Sequence, residues 1–349
     1  MNSRNRNVLT LKDVAARLEV STATISNAFS RPDQLSVELR ERILKACQEM
    51  GYHGPNAAAR SLRTGRTGTV GVVLADRLSY SVTDPVANQF LEGIAEVLDK
   101  QHHSMLLLSH DHLFPDSQSP RIGFFGDGLI IYGLQYQSHR QLRLPTKNVV
   151  TVDCQFEGIT SVLVDNFSGA KASAIHAFRH QPGRVAILGL RMLNTHKVTR
   201  LRDNEDFSEV TPVSRERLKG YQEAAAECGV TLDSHDVWHI PENVHHYAYQ
   251  AAREALAISP RPDILLCMSD RIAIAAVQAA QRLGLKVPED IKIVGFDGIP
   301  AATTMHPSLT TVHQHSVEKG RKAAEIFLGM RPHQDMVLTS ELIIGESCP

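Results

Sequence analysis

The chain has 349 residues, 42% hydrophobic and 21% charged, with a formal net charge of −1. This is the composition of a water-soluble globular protein long enough for one small and one large folded unit, and it excludes disordered, collagen-like and disulfide-stapled chains. No apolar run reaches the roughly 18 residues of a membrane helix, and the polar start "MNSRNRNVLTLKD" has no leader character, so a cytoplasmic protein without membrane association is expected. Cys47, Cys154, Cys228, Cys267 and Cys348 form no C-x-x-C pair, which suits free thiols in a reducing compartment. The histidine clusters "HH" at 102 and 245 and "HQH" at 313 lack partners at metal-ligand spacing. Neither a metal nor another cofactor is expected.

The net charge hides a segregation. Residues 1–66 hold eleven Lys and Arg against six Asp and Glu, a surplus of five that leaves the remainder at −6. A basic head on an acidic body points to a polyanionic partner for the head alone. In that head Thr10 and Asp13 form a capping-box pattern, and Leu11, Val14, Ala15 and Leu18 fall on one helical stripe. Ser21 then caps a second helix after a very short turn, the geometry of a helix-turn-helix, with Ile25 and Phe29 facing inward. A third helix starts near Ser36, carries Leu39, Ile43, Cys47 and Met50 on one side, and stops at Gly51.

The second helix, in "STATISNAFS", buries only a narrow edge. Thr22, Ala23, Ser26 and Asn27 project on its free side and are small enough to let it approach base edges in a major groove. Asn27 can pair bidentately with adenine, and Thr22 or Ala23 can touch a thymine methyl. The next segment, "GPNAAARSLRTGRTG", is helix-prone but too short to stand alone in water, so it is expected to fold on a partner. Leu62, between Arg60 and Arg63, has the character of a minor-groove wedge.

"LKDVAARLEVSTATISNAFS", "GYHGPNAAARSLRTGRTGTVGVV", "VGFDGIP" and "PSLTTVHQ" together resemble the lac repressor (LacI/GalR) family of bacterial transcription regulators over essentially the whole chain. The resemblance implies a homodimer on a pseudo-palindromic DNA operator. Thr22, Ala23 and Asn27 would read bases, and paired hinge helices that include Ala58 and Leu62 would sit in the minor groove. Domain boundaries at 1–54 (head), 55–68 (hinge) and 69–349 (body) follow.

The body alternates β-rich runs with helical stretches: "TVGVVL", "SMLLLS", "DGLIIYG", "NVVTVD", "SVLVD", "RVAILG", "DVWHI", "DILLCMS" and "IKIVGFD". Continuous Val/Ile/Leu runs separated by helices predict parallel strands buried on both faces, hence an α/β doubly wound body. The resemblance implies two Rossmann-like lobes of periplasmic-binding-protein type, with the chain crossing between them near 165, 298 and 330. Ligands in such sheets sit beyond the carboxyl ends of strands, where this chain offers Asp76, Ser109, His110, Tyr132, Asp153, Arg191, Asp270 and Asp297.

Arg217 and Asp270 match the family positions that grip a small effector such as a sugar, with Tyr80, Ser81 and Asp84 walling the cleft from the other lobe. Asp165 and Asn166, in the lobe-crossing "VDNFSGA", read as structural, and His313 and His315 as satisfied polar contacts. The charged segment 190–214 departs from the family and leads to Arg217. The chain lacks G-x-S-x-G, G-x-x-x-x-G-K-[ST] and a G-x-G-x-x-G that opens a helix after a strand, so catalysis is not expected. Beside an effector-controlled repressor, two readings stay open: a small-molecule binding protein, and a corepressor-dependent regulator with no inducer. "IGESCP" carries no leucine heptad, so the resemblance implies a dimer and not a tail-built tetramer.

Overall fold

The computed structural model describes residues 9–54, 67–109, 126–134, 148–203 and 211–349. The chain divides into two compact units, one ending at Thr69 and joined by residues 125–127, the other running from Val70 to Pro349.

The first unit is a three-helix bundle: α1 (Leu11–Arg17), α2 (Thr22–Ser30) and α3 (Val37–Glu49). Each start follows from a side-chain cap. Thr10 and Asp13 close a reciprocal capping box, Ser21 accepts from the Thr24 amide, and Ser36 accepts from the Leu39 amide. Gly51, at φ +70°, takes the left-handed position after α3. Val14, Ala15, Ile25, Ala28, Ile43, Cys47 and Tyr52 form the core, and the Phe29 ring stands edge-on to Tyr52.

The second unit contains two parallel sheets. In the first, β1 (Thr69–Leu74), β2 (Ser104–Ser109), β3 (Gly128–Tyr132), β4 (Val149–Val152), β5 (Thr160–Val164) and a late strand, Met336–Leu338, lie in the order late–β5–β4–β3–β1–β2. In the second, Lys292–Val294, Ile264–Cys267, Val185–Leu188 and Val237–His239 lie side by side in parallel, and Thr199–Arg200 adds an antiparallel edge. The nine β-rich runs are all strands. Burial on both faces holds for the central strands but fails for β2, an edge strand with alternating exposure, and for the late strand, where Val337 is exposed. The charged segment 190–214 is not wholly loop, because Thr199 and Arg200 pair with His239 and Trp238.

The chain leaves the first sheet after Val164 and returns after the stretch from Asp297 to Ser316. The third passage lies after Leu338 and not near 330, because Met336–Leu338 still pairs with Val162–Val164 in the first sheet. Two of the passages meet as an antiparallel pair, Thr311–His313 against Glu341–Ile343.

Helix crossings in both lobes depend on glycine. Helix Pro85–Lys100 packs on helix Ser316–Phe327, where a Cβ on Gly93 would lie 1.9 Å from the Val317 carbonyl oxygen and one on Gly320 would lie 2.0 Å from that of Phe90. Backbone meets backbone there, and no side-chain rotation relieves the overlap. Gly93→Ala is expected to lower unfolding stability by about 2–3 kcal/mol through overpacking, measured by urea titration. An exposed control, Gly284→Ala, keeps its open space but is strained by its φ of +76°, so its smaller loss separates backbone strain from helix-contact overlap.

Candidate functional site: a polar helix face and an interlobe cleft

In the head, α2 turns two unlike faces outward and inward. Ile25 and Ala28 have no solvent exposure, while Thr22 and Ala23 are exposed and Ser26 and Asn27 half-buried. The Arg40 guanidinium, from α3, donates from Nε to the Ala28 carbonyl at 3.1 Å and fixes the far end of α2. The four residues singled out on α2 therefore share one accessible stretch at its N-terminal half. Ala58 and Leu62 lie outside the described residues.

In the body, the carboxyl ends of strands from both sheets open on one cleft of about 510 Å³. Tyr80, Ser81, Asp84, Tyr132 and Asp153 line it from one lobe, and Arg191, Arg217, Asn243 and Asp297 from the other. Of the strand-end candidates, Asp76, Tyr132, Asp153, Arg191 and Asp297 reach the cleft; Ser109 does not, and His110 lies outside the described residues.

Asp270 does not line the cleft either, which corrects the expectation drawn from its position after a strand. It is the first residue of helix Asp270–Arg282, and its carboxylate accepts from the Thr311 hydroxyl at 2.5 Å and the Ile299 amide at 2.9 Å, both on the passage between lobes. The short, buried turn at Ile299 and the strand at Thr311 capture the side chain before it can reach the pocket. Asp297 holds the cleft-side position.

The cleft floor is a continuous polar chain. Lys319, fully buried, donates to Asp153 Oδ2 at 2.5 Å and to Gln314 Oε1 at 3.2 Å. The other end of the Gln314 amide donates to Asp297 Oδ1 at 2.8 Å, and the same oxygen accepts from Arg217 Nη1 at 3.2 Å. Arg217 Nε donates to Asn166 Oδ1 at 2.9 Å, Nη1 also donates to the Met268 carbonyl, and the guanidinium lies over the Phe296 ring at 3.6 Å. Asn166 is thus structural, as its place in the crossing element predicts, and it orients the arginine. Two of the three guanidinium nitrogens are held by protein, so Arg217 is a fixed wall and not a loose fork.

Burial pushes the Asp297 carboxyl up to about 8, opposed mainly by Arg217. Asp84 is likewise raised by burial, opposed by the Ala87 amide that its side chain caps and by Arg271. Arg271 Nη1, from the second lobe, stands 3.5 Å from Asp84 Oδ1, and its guanidinium lies 5.6 Å from the Tyr80 ring centre, so this pair bridges the lobes.

A buried imidazole organises the loop that reaches the cleft. His239 Nδ1 accepts from the amides of Met192 at 2.9 Å and Leu193 at 3.0 Å, which leaves Nε2–H to donate to the Thr195 carbonyl at 3.1 Å. The ring is neutral by this geometry, and burial holds its pKa below the ordinary histidine value. Arg191 and His196, on the loop so held, reach the cleft.

Sequence reasoning missed Lys319 and Gln314. "HSVEKGRKAAEIF" reads as an amphipathic helix, and nothing in its spacing separates a buried lysine from its exposed neighbours.

The Asp270 carboxyl, raised by burial from 3.8 to about 6, yields a pH prediction. Between those values the folded chain binds more protons than the unfolded one, so this group's contribution to stability is full below the lower value and is lost as pH rises through the upper. Asp270→Asn is expected to remove a decline on the order of 2 kcal/mol between about pH 4 and 6, read by chemical unfolding across that range.

Residues 10–56 match the model of bacterial regulatory proteins of the lacI family, and residues 196–348 match that of a periplasmic binding protein-like domain. An HTH-type transcriptional regulator of Mycobacterium tuberculosis is 34% identical, with 99% of each chain covered. The HTH-type transcriptional repressor CytR of Escherichia coli is 28% identical, over 97% of this chain and 96% of that one. Among solved structures, the lac repressor dimer bound to operator and the anti-inducer ONPF superposes with a TM-score of 0.73 at 19% identity, over 97% of this chain and 99% of that one. No helix among the described residues is long and apolar enough to cross a membrane.

Proposed function

The chain belongs to the lacI family of bacterial regulatory proteins and is a DNA-binding transcription regulator; on that premise we propose that it is a dimeric repressor whose operator affinity is set by a small polar effector in the interlobe cleft. The observation that carries the reading is the pairing of two features in one chain: a helix with a small, polar accessible face in a basic head, and a cleft lined by charged and polar side chains between two lobes.

On this reading α2 enters the major groove. Thr22 and Ala23 contact base edges or thymine methyls, Ser26 the backbone or a base, and Asn27 an adenine. Ala58 and Leu62 belong to a hinge helix that orders on DNA, with Leu62 as the wedge at the operator centre. The effector is held by Tyr80, Ser81 and Asp84 from one lobe and Arg217 and Asp297 from the other, and a sugar-like molecule suits such a wall of charged acceptors and donors. Its differential affinity for open and closed lobes would shift the spacing of two heads in a dimer.

The test is selection. The purified full-length chain is mixed with fragmented DNA of its own genome at low and raised salt, and the retained fragments are sequenced. A salt-resistant pseudo-palindrome is expected, because non-specific phosphate contacts fall away steeply with salt. Asn27→Ala should lose about 1–3 kcal/mol on that site, and Leu62→Ala should weaken it without altering the fold. Small polar metabolites that shift the melting temperature of the wild type but not of Arg217→Ala would place the effector in the cleft. Absence of salt-resistant enrichment would favour a regulator that needs a corepressor.

A further inference from the structure

Three groups of metal-ligand side chains form among the described residues: His176, His180 and Cys348; Asp203, Asp233 and His235; and His313, His315 and Glu341. The first is already committed, since the Nε2 atoms of His176 and His180 each stand 2.9 Å from main-chain oxygens, of Cys348 and Pro349. In the second, the His235 ring is held by Asp233 at 2.8 Å and all three residues are exposed. In the third, no side-chain hydrogen bond to another described residue engages either imidazole or the carboxylate.

The third group is assembled by the fold. His313 is the last residue of the strand Thr311–His313, and His315 follows it at the N-terminus of helix Ser316–Phe327. Glu341 stands directly opposite His313 in the antiparallel pair, the closest register two strands offer. The two rings meet with centres 4.3 Å apart at 67°, and Gly298 backs His313 so closely that a Cβ there would lie 2.5 Å from the ring. His315 takes a left-handed backbone conformation, φ +53°, at the start of the helix that carries Lys319. A non-glycine residue there is held against its own preference, and the effect is a pair of uncommitted imidazoles beside a carboxylate.

We propose that His313, His315 and Glu341 form a binding site for a zinc-class divalent transition metal, placed on the two antiparallel passages that join the lobes. Two imidazole nitrogens and one carboxylate oxygen, with water in the fourth position, suit zinc, cobalt or nickel, whereas calcium and magnesium take oxygen sets. The candidate ligand atoms already lie within 4.8 Å of one another, and half-exposed imidazoles and an exposed glutamate are open to an ion from solvent. Metal bonds of about 2.0–2.2 Å require these atoms to draw closer together than they stand here. Bound metal would clamp the passage at 311–315 to that at 341–343, and so stiffen the connection about which the lobes move.

The test uses the full chain stripped with chelator and titrated with zinc(II) alone, then with cobalt(II) as a chromophore. Wild type should bind one equivalent more than Glu341→Gln and than His315→Asn, the latter chosen because asparagine tolerates the left-handed backbone. Cobalt should give visible absorption that both variants lose. Zinc should slow amide exchange at 311–313 and 341–343 in wild type only. Unchanged stoichiometry and affinity in both variants would overturn the proposal, as would loss of the equivalent in His176→Gln or His235→Gln instead. Equal competition by magnesium(II) would overturn it too. Glu341 is exposed, so its variant keeps the fold.

Discussion

The body of this protein is organised around a lysine that no water touches. Lys319 sits at 0% exposure with its ammonium on Asp153 and Gln314, and Gln314 passes the connection to Asp297 and Arg217. A buried ammonium without partners is untenable, so the geometry of the passage at 314–319 is dictated by satisfying it. The groups come from both lobes and from the passage between them. Lobe position and cleft chemistry are therefore set by the same hydrogen bonds, which is the physical requirement for a ligand in the cleft to act on the relation between lobes.

The two carboxylates near the floor divide the work. Asp297, in a positive-φ backbone position, faces the cleft and joins Arg217 to Gln314. Asp270 turns away from it and ties the Ile299 and Thr311 stretches of the same passage to the second lobe. Arg217 is stacked on Phe296 and anchored by Asn166, so it presents a fixed charge to a ligand without having to be ordered on binding. The Asp84–Arg271 pair adds a longer contact between lobes at the opposite wall.

Much of the fold was legible because local signals and the global pattern agree. Thr10, Ser21 and Ser36 each cap the helix that their spacing announces, and the nine Val/Ile/Leu runs are strands. The short strands Met336–Leu338 and Glu341–Ile343 were not legible. Three residues carry no period, and their pairing with Val162–Val164 and Thr311–His313 is entirely long-range. The same limit applies to the site. Arg217 could be placed from the motif around it, but the exchange of roles between Asp270 and Asp297 depends on which carboxylate meets Thr311, and the partnership of Lys319 with Asp153 spans 166 residues. Pairings of that kind are written in tertiary packing.

The most direct test of this account is a double-mutant cycle between Lys319→Met and Arg217→Met, read as unfolding free energy in denaturant. These residues belong to different lobes and are linked by hydrogen bonds through Gln314 and Asp297. A continuous polar chain predicts that the double variant departs from the sum of the singles by more than about 0.5 kcal/mol, since removal of either end already frees the members between. Additivity within about 0.3 kcal/mol would mean that the two cations are satisfied independently, and that the lobes are not joined through the cleft floor.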